Sequence, residues 1–83
     1  MIYYVFFNII LSMDEDLLLA FGNHLKTLRK KNNLSQEDLA HRACLDRTYV
    51  SGVETGKRNI SLKALNAIAK ALDKNLSQLF EGM

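Results

Sequence analysis

Residues 36 to 53 read QEDLAHRACLDRTYVSGV, and the order of small, apolar and polar positions in this stretch decides how the chain folds. Ala40 is small where a partner helix would pass over it, and Leu45, Val50 and Val53 are apolar where the pair would plug a core. Cys44 falls at the corner, the position that takes an unusual backbone angle when two helices cross steeply over a three-residue turn. Asp46 is a capping residue, so the second helix of the pair starts at Arg47 and ends before Gly56. With Val50 and Val53 turned inward, Arg47, Thr48, Ser51 and Gly52 are turned outward, and Tyr49 sits at the border. This is not the Glu and Lys of a solvated face. Its donors and acceptors suit base edges and phosphates, as on a helix lying in the major groove of DNA.

The segments on either side also read as helices. Leu18, Phe21, Leu25 and Leu28 recur at spacings of three and four, which predicts one buried stripe on a helix over residues 16 to 31. Arg29, Lys30 and Lys31 suit the negative end of its dipole, and Asn32 and Asn33 offer the left-handed residue that ends it. Ser35 caps the next helix and, with Asp38, completes a capping box; Leu39 and Ala40 face inward. Ser61 caps a fourth helix carrying Leu62, Leu65, Ile68, Ala69 and Leu72, and Leu76, Leu79 and Phe80 fit a short fifth. The expected fold is therefore all-α: one compact five-helix domain over residues 14 to 83, with no repeats or linker.

Composition narrows the function classes. Eighty-three residues sit near the lower end of what holds a core unaided. A single cysteine cannot form an internal disulfide, so a disulfide-rich secreted module is excluded and a cytoplasmic setting is expected. The net charge of +2 is a weak argument for a polyanion partner, so the case rests on where the charges sit.

Residues 1 to 13, MIYYVFFNIILSM, carry no charge at all, and Asp14, Glu15 and Asp16 end the run. It is too short to span a bilayer as a helix and lacks the features of a signal peptide. Its β-branched and aromatic content favours a strand. Three readings follow: an extension translated upstream of a natural start at Met13, a strand or arm pairing across a dimer, or a membrane anchor. No membrane partner is expected on balance.

Three segments, LSQEDLA, VSGVETGKRN and SLKALNAIAKALD, together resemble the Cro/repressor-like (XRE) helix-turn-helix family over about residues 18 to 80. The LDRTYVSGVE…RN combination is similar to the controller proteins of restriction–modification systems. That resemblance implies a repressor-like fold and a homodimeric transcription regulator, bound to double-stranded DNA and without a ligand domain; RNA polymerase is a further candidate partner. The family often has glycine at the tight turn, where this chain has Cys44, and a non-glycine there costs roughly 1–2 kcal/mol.

Arg47 is the candidate base reader, since a guanidinium can donate two bonds to guanine O6 and N7. Thr48 can touch a thymine methyl or a phosphate, and Ser51 is small enough to let the helix lie deep. Tyr49 suits the backbone or a flexible step better than a base edge. The resemblance implies that Arg58 reads a base and Asn59 holds a phosphate, whereas sequence alone gives only a basic loop with Lys57. Ser35 and Gln36, at a helix N-terminus, and Lys63, in the first turn of the fourth helix, are candidate phosphate contacts. The resemblance further implies an ion pair between Arg29 and Glu54.

One helix reading three or four base pairs cannot single out an operator in a genome, so a symmetric dimer is expected. Leu65, Ile68, Leu72, Leu76, Leu79 and Phe80 are more apolar surface than so small a domain can bury alone, and part of them is expected to form the dimer patch. His41 and Cys44 are three apart on a helix, but neither they nor His24 make up a zinc set. No catalytic constellation and no cofactor motif is visible. The competing reading is an antitoxin-type or bridging protein whose main partner is another protein.

Overall fold

The computed structural model describes the backbone from residue 2 to residue 83 and the side chains from residue 16 onward. Five helices follow in chain order: α1 (Ile2–Lys31), α2 (Gln36–Ala43), α3 (Arg47–Glu54), α4 (Leu62–Ala71) and α5 (Leu76–Phe80). The domain is all-α, with no strand among the described residues. The preference for a strand near the N-terminus was wrong, because the helix expected from residue 16 runs back to Ile2. The physical reason is nucleation. A helix already formed over its second half extends by one hydrogen bond per residue fixed, and no glycine or proline interrupts residues 2 to 21. The side chains that would pair across a dimer or enter a membrane lie outside the described residues.

Each helix from α2 onward starts at a side-chain cap. Ser35 Oγ accepts from the Asp38 amide at 3.0 Å while Asp38 Oδ2 accepts from the Ser35 amide at 2.9 Å. Asp46 Oδ1 accepts from Thr48 N at 3.2 Å, and Ser61 Oγ from Ala64 N at 3.1 Å. Asn75 and Gln78 form a second reciprocal box at 2.8 and 2.9 Å.

Three helices stop in the same way. Asn33, Cys44 and Asp73 hold φ of 56°, 55° and 56°, and the amide after each returns to a carbonyl five residues back. At the corner between α2 and α3, Leu45 N donates to Ala40 O at 2.8 Å.

The core lies where these helices meet. Leu25, Leu39, Val50, Ile68 and Leu79 are each 0% exposed. Helix α2 packs against α3 and α4, α1 against α3, and α4 against α5. The α1–α3 crossing is close enough to require glycine: a Cβ on Gly22 would stand 2.5 Å from Val53 O and 2.6 Å from Glu54 O. The Phe21 and Phe80 rings, 5.6 Å apart, join α1 to the end of α5. His24 Nε2 donates to Leu79 O at 2.7 Å and adds a polar link between the same elements.

The apolar residues expected to supply a dimer patch divide between the core and the surface. Ile68, Leu72 and Leu79 are consumed by the protomer's own core. Leu65 and Leu76 are half-buried against it, while Phe80 remains exposed.

Candidate nucleic-acid interface

Helix α3 divides into two faces. Val50, Val53 and Glu54 are buried, whereas Arg47 and Thr48 are exposed and Ser51 and Gly52 are half-buried. The inward half is anchored by a charged cluster as well as by apolar packing. Arg29 Nε donates to Glu54 Oε2 at 2.6 Å, and Arg29 Nη2 donates to Glu54 Oε1 at 3.0 Å. Arg29 Nη1 donates to Leu34 O at 2.8 Å, so one guanidinium ties the end of α1 to the α1–α2 loop and to α3. The two side chains are only 9% and 2% exposed. The bond to Glu54 is the main cause of a raised Arg29 pKa, against the opposing effect of burial.

Gln36 joins this cluster through Nε2, which donates to Glu54 Oε1 at 3.1 Å. Nothing in the sequence gives that bond away, since the two residues lie 18 positions apart. It locks the first residue of α2 to the last residue of α3. Gln36 therefore sits half-buried at the α2 N-terminus with its carboxamide orientation fixed, and Ser35 stands exposed beside it. Amides at this end can attract an anion together with the helix dipole.

The loop after α3 is held to the helix as well. Lys57 N and Arg58 N both donate to Gly52 O, at 3.0 and 3.1 Å, and Ser61 N donates to the Tyr49 hydroxyl at 3.3 Å. Lys57, Arg58 and Asn59 are exposed on this loop. Lys63 is exposed too, and it lines a shallow cavity of about 270 Å³ with Cys44 and Leu45 of the turn. The side chains read as DNA contacts thus lie on the α2 N-terminus, α3, its following loop and the start of α4. Gly52 lets the chain's own Arg58 stem approach α3 closely, with Cγ 3.1 Å from where a Cβ would be.

His41 and Cys44 are both exposed, and no group of three or more metal-ligating side chains exists among the described residues. No described helix is long and apolar enough to cross a membrane.

Comparison with known proteins bears on the family and the fold. A helix-turn-helix family model matches residues 25–79. The control protein C.MunI of Mycoplasma sp is 53% identical over 67 residues, covering 80% of this chain and 90% of the relative. The control protein C.BamHI of Bacillus amyloliquefaciens is 44% identical over 61 residues, covering 72% and 75%.

Among solved structures, the restriction-modification controller protein C.AhdI from Aeromonas hydrophila superposes with a TM-score of 0.74 at 49% identity, covering 76% of this chain and 96% of that one. The controller protein C.Esp1396I, solved as a tetramer with its natural 35 base-pair operator, gives 0.73 at 40% identity, covering 78% and 86%. The chain belongs to the helix-turn-helix family of DNA-binding transcription regulators, with the restriction–modification controller proteins as its kin.

Proposed function

We propose that the protein binds a pseudo-palindromic operator as a homodimer and sets the expression of a restriction–modification system. The observation that carries this reading is the division of α3: a buried half fixed by Val50, Val53 and the Arg29–Glu54 pair, and an outer half led by Arg47 and Thr48. A recognition helix needs such an anchor, because contacts to base edges carry sequence information only if the helix sits in one orientation. Arg47 reads a guanine, Thr48 and Ser51 fit the groove floor, Tyr49 borders it, and Arg58 reaches a base from the loop. Ser35, Gln36, Lys57, Asn59 and Lys63 hold phosphates on either side. Leu65, Leu76 and Phe80 supply the contact between protomers.

Half-sites then lie about 34 Å apart, one helical turn. The 35 base-pair operator of C.Esp1396I holds a tetramer of that protein. At about 10.5 base pairs per turn it spans just over three turns, room for four half-sites one turn apart. Two dimers on tandem sites are the corresponding assembly here, and their position relative to RNA polymerase decides between activation and repression.

Selection of binding sites from random DNA tests specificity, symmetry and spacing together. Two inverted half-sites about one turn apart are expected. Arg47→Ala should relax preference at one position per half-site by about 1–3 kcal/mol. An equal loss on operator and random DNA would remove Arg47 as a reader.

A further inference from the structure

We infer that Tyr49 is a positioning residue for Arg58, holding its guanidinium beside α3 before DNA arrives, and does not itself read a base. The inference deepens the proposed function and rests on Arg58 being a DNA contact. The Arg58 guanidinium carbon lies 5.3 Å from the centroid of the Tyr49 ring, within cation–π range. Its aliphatic stem crosses α3 at Gly52, where a Cβ would stand 3.1 Å from Arg58 Cγ and 3.4 Å from its Cβ. The backbone on both sides is tied to the same helix: Lys57 and Arg58 amides bond to Gly52 O, and the Ser61 amide bonds to the Tyr49 hydroxyl. Ring, groove and loop are thus one assembled unit.

The consequence is energetic. Arginine carries large rotamer entropy, and an exposed, unrestrained side chain must surrender it on binding. Arg58 is exposed to solvent, yet its stem and head group are already laid along α3. The ring face of a tyrosine attracts any cation without regard to sequence, and its hydroxyl already serves the loop. Tyr49 therefore contributes to operator binding through Arg58, and removing the ring matters only while Arg58 is present.

A double-mutant cycle on the selected operator tests this. Tyr49→Leu should weaken binding about three- to tenfold in the wild-type background, the ordering cost of one such side chain, and by less than about twofold in Arg58→Ala. Tyr49→Phe, which keeps the ring, should retain most of the affinity. In the DNA-free protein, the Arg58 side-chain proton resonances should be shifted upfield by the ring current and relax in Tyr49→Leu. That NMR measurement on the wild-type protein needs no variant, so it decides the geometry even where Tyr49→Leu fails to fold.

Equal losses in both backgrounds would overturn the inference and make Tyr49 a direct DNA contact. Unshifted Arg58 resonances in the wild-type protein would overturn it too. Unchanged operator binding by Arg58→Ala would instead strike the DNA role of Arg58, and the inference would go with it.

Discussion

Glu54 is the residue on which most neighbours depend, for its two oxygens accept two hydrogen bonds from Arg29 and one from Gln36. Glu54→Gln removes the charge and turns one acceptor into a donor facing a buried guanidinium. Stranding a buried partner costs roughly 3–5 kcal/mol, a large share of the roughly 5–15 kcal/mol of a small domain. A urea titration should show the midpoint falling with little change in slope. Replacing both charges, as in Arg29→Leu with Glu54→Leu, should recover only part of the loss, since the Leu34 carbonyl and the Gln36 amide are then left without partners. Sequence alone shows two charges 25 residues apart, and only the family resemblance pairs them. The exposure of Arg47 and Thr48 was legible from the residues, because the inward valines fix which face of the helix turns outward. The bonds of Gln36 and the stacking of Arg58 on Tyr49 were not, because both depend on where separate elements meet.

Among elements, α2 is the most sharply bounded, and both ends yield predictions. At its start, hydrogen bonds from the Ser35 amide and hydroxyl lower the Asp38 pKa below its ordinary value. A carboxylate depressed in the folded state contributes stability above its unfolded pKa, near 4, and that contribution is lost as pH falls through the lower folded value. Asp38→Asn should therefore flatten the acid limb of the stability curve below about pH 4, read by thermal melts across pH. Loss of the cap itself in Ser35→Ala should cost about 1 kcal/mol at neutral pH.

At its end, Cys44 holds φ 55° and ψ 40°, a left-handed geometry that costs an ordinary side chain roughly 1–2 kcal/mol. Glycine removes that strain but loses about 0.5–1 kcal/mol through the freedom of the unfolded chain. Cys44→Gly should thus be more stable by up to about 1.5 kcal/mol, seen as a higher melting temperature with operator binding unchanged. Caps and corners were readable because they obey local rules. The length of α1 was not, since local strand preference yields to the low cost of extending an existing helix.

At the scale of the whole molecule, the question is how a net charge of +2 serves a regulator that must hold a polyanion. The cations are spread along the chain from Lys26 on α1 to Lys74 after α4, with Lys57 and Lys63 among the exposed ones, so the count of neutralised phosphates depends on how many copies bind. Ile68, Leu72 and Leu79 are buried in the chain's own core, while Leu65 and Leu76 are half-buried and Phe80 is exposed, so the contact between protomers proposed above rests on these three. Counterion release makes the copy number measurable. Each phosphate neutralised by a lysine contributes about −0.9 to the slope of log K against log salt. Lys63→Ala should weaken operator and random DNA alike and flatten that slope by about 1.8 if a dimer is bound, and by about 3.6 on a tandem operator holding two dimers. Fluorescence titrations of a single-site and a tandem-site duplex at several salt concentrations give both numbers. A change near 0.9 on the single-site duplex would mean that one copy binds there, and the symmetric mode of binding would have to be abandoned.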